Sequence, residues 1–163
     1  MTSWIARGAI MSSEFATVPY ERFVADVAAL ARAIGAGAWR PAFVVGIGRG
    51  GIAPALWLSH AGGWPMLSID LSAGEADFGE ALVARIAARA LGGEPFLLVD
   101  DINDSGATIA GLRAALGQAA AANVRFAVLI DNASSAERVD YAAARIDRRA
   151  DERWFVFPWE TPA

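Results

Sequence analysis

Residues 96–108 constrain the fold more than any other stretch. They read Phe-Leu-Leu-Val-Asp-Asp-Ile-Asn-Asp-Ser-Gly-Ala-Thr. Four apolar residues run straight into the paired carboxylates Asp100 and Asp101. Asp104 follows, with Ser105, Gly106, Ala107 and Thr108 behind it. A short apolar run bounded in this way is a buried strand, here expected over Phe96–Asp100. It should lead through a loop of hydroxyls and small side chains into a helix from about Gly106 to Ala121. Carboxylates accept hydrogen bonds from sugar hydroxyls or hold Mg²⁺. Backbone N–H groups at a loop and helix N-terminus hold a phosphate. The segment therefore suits a ligand that is a sugar at one end and a phosphate at the other.

The rest of the chain alternates apolar runs with helical periodicity. Pro19 to about Ile34 places Phe23, Val27, Leu30 and Ile34 three or four apart, with Gly35 and Gly37 at its end. Ala42–Ile47 is a strand, Gly48–Gly51 a loop and Ile52–His60 a helix that accepts Pro54 in its first turn. His60, the single histidine, falls near that helix end, where it suits the last carbonyls. Pro65–Asp70 is a second strand and 71–77 a loop. Phe78–Leu91 is a helix on Leu82, Ile86 and Ala90, broken by Gly92 and Gly93. After the 96–121 unit come strands at Val124–Ile130, Val139–Ile146 and Arg153–Phe157. This order specifies an α/β protein: a doubly wound, mostly parallel sheet covered on both faces. Ligands of such sheets sit at the carboxyl ends of the strands, where Gly48–Gly51, Asp70 and Asp100–Thr108 all fall.

The 163 residues suffice for a single domain with a proper core. Residues 1–17 read as a flexible arm or extension, with Met11 a possible natural start. Formal net charge is −4, which argues against a nucleic-acid binder. Cysteine is absent, which removes a disulfide framework and thiolate metal sites. No apolar stretch is long enough to span a membrane and no signal peptide is evident, so the expected compartment is the cytoplasm. Lysine is also absent, so arginine supplies all 14 positive charges. That removes the Walker A reading and leaves every basic contact to an anion with arginine.

Gly46-Ile47-Gly48-Arg49-Gly50-Gly51 fits G-x-G-x-x-G between a strand and a helix, with Asp70 about twenty residues on. That is the fingerprint of a dinucleotide site, and it leaves Asp100–Thr108 without a role. A pyrophosphate is the competing ligand. Glycines let the backbone approach an anion, and Arg49 offers a forked contact.

Leu97–Thr108 resembles, without a gap, the phosphoribosyl-pyrophosphate (PRPP) motif of the type I phosphoribosyltransferases. Gly48-Arg49-Gly50-Gly51 matches their x-Arg-Gly-Gly pyrophosphate loop. Trp154-Phe155-Val156-Phe157-Pro158-Trp159-Glu160 is similar to the segment that closes the base pocket in xanthine-guanine phosphoribosyltransferases and related bacterial proteins. The resemblance implies transfer of ribose 5-phosphate from PRPP to a nucleobase, with a purine first in line, and a small C-terminal base-binding hood over 147–160. It implies that Asp100 and Asp101 hold ribose hydroxyls and Mg²⁺, one directly and one through the metal. Arg49, Gly50 and Gly51 would hold pyrophosphate, and Ser105, Gly106, Ala107 and Thr108 the 5′-phosphate. Asp104 would be the general base or the cap of the following helix, two roles that are compatible. By position, Trp154 stacks on the base, Phe155 offers backbone groups to its edge and Glu160 lies near its exocyclic groups. Asn132 takes the place where purine-using relatives carry a lysine on the 6-oxo group. Relatives also close a loop over the reaction centre; its counterpart lies within 71–93, where Arg85 and Arg89 either reach pyrophosphate or face solvent. Homodimers or homotetramers are the implied assemblies. A second class stays open: relatives that bind PRPP or nucleotides to regulate, without turnover.

Overall fold

A computed structural model of the chain describes residues 14–69 and 76–160, with the backbone alone described at 76–78 and 119–121. The expectations for residues 1–13, for Asp70 and for most of the 71–77 loop lie outside the described residues. The loop is shorter than expected at its far end, because residues 76 and 77 already belong to a helix.

The elements run β1 (Phe15–Thr17), α1 (Tyr20–Ala36), β2 (Phe43–Ile47), α2 (Ile52–Gly62), β3 (Met66–Ile69) and α3 (Ala76–Leu91). Then come β4 (Phe96–Asn103), α4 (Ala107–Leu116), a 3₁₀ turn at Gly117–Ala119, α5 (Ala120–Asn123), β5 (Val124–Asn132), β6 (Tyr141–Ile146) and β7 (Trp154–Val156). Strands β2 to β6 form one five-stranded sheet in the order β3-β2-β4-β5-β6, and every pairing is parallel.

Successive strand residues feed opposite faces, as the pleat requires. Val44, Leu97, Val99, Ala127 and Leu129 pack with Val27, Leu30 and Ile34 of α1 and with Ala55 and Leu58 of α2. Val45, Phe96, Leu98 and Phe126 pack with Val83 and Ile86 of α3 and with Ile109, Leu112 and Leu116 of α4. Strand β4 lies at the centre, and Phe96, Leu97, Leu98 and Val99 are fully buried. At about 1.5–3 kcal/mol for each such side chain, they anchor the strand whose far end bears the acids.

Several elements depart from the sequence expectation, and β5, β6 and β7 differ from it at their ends by one or two residues. The third main strand does not stop at Asp100. It runs to Asn103 because β5 continues beside it, pairing Ile102 with Ile130 and Asn103 with Asp131. A buried hydrogen bond from the Asn103 amide to Asp131 Oδ1 (2.8 Å) fastens that extension. The helix expected to reach Ala121 ends at Leu116, where Gly117 at φ +69° turns the chain. Phe15–Thr17, expected to be part of a flexible arm, form a strand parallel to Trp154–Val156. This two-stranded sheet, called the hood below, includes part of the 147–160 segment. Val156 and Phe157 are buried, and Trp159 stacks on Phe157 (5.0 Å) and meets Phe23 of α1 edge-on (5.2 Å).

α1 runs two residues past the expected Ile34, through Gly35 to Ala36, and Gly37 follows as its cap. The Arg40 guanidinium donates to the carbonyls of Ile34 (3.0 Å), Gly35 and Gly37 and so ties off the end of α1. His60 stands exposed in the last turn of α2. No described helix is long and apolar enough to cross a membrane.

Candidate active site

From β2 the chain passes outward to β3, then returns across β2 to β4. The direction of winding therefore reverses between β2 and β4, the place where open α/β sheets bind ligands. The loop after β2 and the acidic end of β4 meet there. The first holds Gly48–Gly51 and the second leads into Ser105–Thr108.

The glycine loop is shaped by contact. Gly48 adopts φ +54°, and its N–H donates to Ile69 O (2.7 Å). A Cβ on Gly50 would overlap the Asp101 carboxylate. A Cβ on Gly51 would overlap Val99 O and lie 2.5 Å from Ile47 N, both immovable backbone atoms. So the glycines bring the loop down onto β4, and Asp101 lies directly beneath it. Arg49 is exposed at the tip. No peptide bond among the described residues is cis, including Gly48–Arg49.

Asp100 and Asp101 are both partly buried in the carboxyl half of β4. Burial pushes the Asp100 carboxyl up to about 8, and the neighbouring Asp101 charge adds to the effect. Burial also raises Asp101. The N–H of Ile102, donating to Asp101 Oδ1 at 2.7 Å, opposes that rise, and the Glu160 carboxylate adds to it. The end of the hood is thus within electrostatic reach of the acidic pair. Two crowded, desolvated carboxylates are relieved by a cation, so the pair fits Mg²⁺. Among the described residues no group of three or more His, Cys, Asp or Glu side chains is placed to hold a metal. Mg²⁺ commonly takes one or two carboxylates and completes its shell with water and substrate phosphates.

Gly106 precedes α4 at φ +91°, and a Cβ there would crowd Glu137 N (2.8 Å) and Ser135 Oγ (2.9 Å). The first amides of α4 lack partners within the helix. That of Ala107 meets Ser105 Oγ at 3.2 Å. Asp104 does not cap this helix; Gly106 holds the cap position. Instead the Asp104 carboxylate accepts a forked bond from Arg148, Nε to Oδ1 at 2.8 Å and the second nitrogen to Oδ2 at 3.2 Å.

The base-side residues divide. Trp154 is 58% exposed and open to stack on a ring. Phe155 is half-buried, with the Arg148 guanidinium 5.3 Å from its ring centre. Glu160 Oε2 accepts from Phe157 N (2.9 Å), which orients the carboxylate at the hood's end. Asn132 is buried and occupied by protein. Its amide donates to Asp104 O (2.9 Å), and its carbonyl accepts from Ser134 N (3.0 Å) and Arg148 N (3.1 Å). Arg89 does not approach the site. It pairs with Glu94 and lies over Phe43 (4.7 Å), at the amino end of β2. Arg85 is exposed on α3.

Reading the sequence missed Arg148, and with it Asn103, Asp131 and Ser135. The Ser135 hydroxyl donates to Asn103 Oδ1 (3.0 Å), so these three fix the floor beneath the 104–106 loop. Polar residues at strand positions that otherwise read as apolar were the available signal at Asn103 and Asp131. Nothing in the local sequence marks Arg148.

A glycine loop, an acidic pair and a small-residue helix start, side by side at the reversal of a doubly wound sheet, define a protein that handles a phosphorylated ribose. The chain belongs to the phosphoribosyltransferase family, whose phosphoribosyl transferase domain matches residues 19–163. It is similar to the xanthine-guanine phosphoribosyltransferase of Gluconobacter oxydans (strain 621H), 31% identical over 122 residues, covering 72% of this chain and 68% of that protein. Its fold matches the purine phosphoribosyltransferase of Pyrococcus horikoshii Ot3 (TM-score 0.66, 23% identity, covering 91% of this chain and 96% of that one). It also matches the xanthine-guanine-hypoxanthine phosphoribosyltransferase of Helicobacter pylori (TM-score 0.67, 18% identity, 91% and 95%). The dinucleotide reading of Gly46–Gly51 falls with this assignment.

Proposed function

We propose that the chain is a PRPP-dependent glycosyltransferase that moves ribose 5-phosphate onto a purine and releases pyrophosphate, a purine-salvage reaction. The observation that carries this reading is the placement of Gly50 directly against Asp101. It puts an anion-binding loop and a hydroxyl-binding acid on the two sides of one small space. The similarity to the Gluconobacter oxydans enzyme supports a purine as acceptor.

In this reaction a base nitrogen displaces pyrophosphate at the anomeric carbon. The barrier lies in the oxocarbenium-like sugar and in the charge of the leaving group. Arg49 and the amide of Gly50 face the departing pyrophosphate, while the Gly51 N–H, donated to Ile47 O (3.0 Å), holds the loop in shape. Asp100 and Asp101 accept from the ribose hydroxyls and, with bound Mg²⁺, hold the sugar. The metal supplies neutralisation of the pyrophosphate charge. Ser105, Gly106, Ala107 and Thr108 bind the 5′-phosphate, and that remote binding energy orients the reacting carbon. Asp104 takes the proton of the incoming base, Trp154 stacks on its face, and Phe155 and Glu160 meet its edge. Asn132 orients Asp104 from behind.

The same reading makes the 147–160 segment the base pocket of a single 1–163 domain. It also makes the working form a cytoplasmic homodimer or homotetramer, which light scattering on the purified protein tests. The decisive assay is nucleotide formation from PRPP and Mg²⁺ with guanine, xanthine, hypoxanthine and adenine. Nucleotide and pyrophosphate in equal amounts are expected with at least one oxopurine. Tight PRPP binding with no product from any base would replace the enzyme by a PRPP-binding regulator.

A further inference from the structure

We propose that Arg148 is the positioning residue of the base site, a single guanidinium that holds Asp104 and the hood in one geometry. The proposal rests on the reading of Asp104 and Trp154 given above. Arg148 sits just beyond β6, and its side chain is only 21% exposed. Its bonds go to three segments far apart in the chain. The fork fixes the Asp104 carboxylate and bonds to none of the residues 105–108. One terminal nitrogen donates to Arg153 O (2.5 Å), and the guanidinium lies on the Phe155 ring, so both neighbours of Trp154 are tied to it. Its own N–H donates to Asn132 Oδ1, and the Asn132 amide returns to Asp104 O. The result is a closed circuit from Asp104 through Arg148 and Asn132 back to Asp104, with the hood attached.

Two other arginine–carboxylate pairs of this segment have a different character. Arg149 with Asp147 and Arg153 with Asp151 join residues two apart and are largely exposed on the arginine side. Such pairs contribute little. The Arg148–Asp104 pair spans 44 residues, is forked on both partners and is half-buried. A planar guanidinium is the side chain that can fork to a carboxylate and stack on a ring together. It acts on the base through Asp104 and Trp154 and leaves the phosphate-binding amides untouched.

The experiment measures calorimetric Kd for GMP and for PRPP with Mg²⁺, and turnover with guanine. It uses the wild type, Arg148→Met, Arg148→Lys, Asp104→Asn and Asp104→Asn/Arg148→Met. Arg148→Met should weaken GMP about 30-fold while PRPP stays within about twofold, since the lost contacts are charge-assisted and lie on the base side. Arg148→Lys should fall between, because lysine restores the charge without the fork or the stacking. In the Asp104→Asn background the further loss from Arg148→Met should shrink to about threefold or less, as for partners in one interaction. Equal losses for GMP and PRPP would overturn the proposal and make Arg148 a general stabiliser. An undiminished loss in the Asp104→Asn background would overturn it too. A wild type that makes no nucleotide while its GMP affinity follows this pattern would sink the transferase reading and leave the role of Arg148 standing.

Discussion

The two ends of the proposed site are built by different means. The ribose-phosphate end rests on the main sheet. Its donors are backbone amides, its acids lie on a central strand, and its shape is set by glycines pressed against β4. The base end rests on two strands of three residues each, Phe15–Thr17 and Trp154–Val156, and is located by side chains reaching across the chain. A backbone-built end is rigid and tolerates little. A side-chain-built end can be retuned one residue at a time.

Asp101→Asn should show the first end at its most exacting. Loss of the charge under the glycine loop is expected to lower kcat/KM about 100-fold or more, with the circular dichroism spectrum unchanged. Wild-type rates would remove Asp101 from the reaction. Gly51→Ala tests the same end through the fold. The added methyl meets only backbone atoms, so we expect about 3 kcal/mol of lost stability in chemical denaturation; a loss below about 1 kcal/mol would mean the loop can lift away from β4.

The base end should answer in a graded manner. Trp154→Ala is expected to raise KM for the base about tenfold and to leave that for PRPP within about twofold, because a stacked base is worth roughly 1–3 kcal/mol. Equal changes in both would make Trp154 structural and erase the contrast between the two ends. The smallest effect concerns charge. The folded protein holds the Asp100 carboxyl up at about 8 from its ordinary 3.8, so it binds a proton that the unfolded chain has already lost. Its contribution to stability is complete in acid below the unfolded value and is lost as pH rises through about 8. Asp100→Asn cannot ionise. It should match the wild type near pH 4 and melt higher than the wild type at pH 8 without ligand. A melting difference that does not change with pH would show that burial at Asp100 is not setting its charge.

The same contrast explains what could be read beforehand. The alternation of apolar runs and helical periodicity was enough for the doubly wound sheet, and the motifs at 48–51 and 96–108 marked the two segments that the fold brings together. Both depend on residues adjacent in sequence. The continuation of β4 to Asn103 was hidden because it depends on pairing with β5. Phe15–Thr17 were hidden because so short a strand exists only through its partner. Arg89 fits a phosphate contact by residue type, but its place at the amino end of the sheet is a property of topology. Arg148 is one of 14 arginines, and only the folded chain sets it apart.

The pairing of β1 with β7 also orders events in time. Phe15 finds Trp154 across 139 residues, counted as 154 minus 15. On the ribosome β7 is made after every strand of the main sheet, so the pyrophosphate loop and the acidic strand are complete while β1 still waits for its mate. Contacts so distant close late and slowly. The strands that carry the glycine loop and the acidic pair are thus made before the partner on which β1 depends.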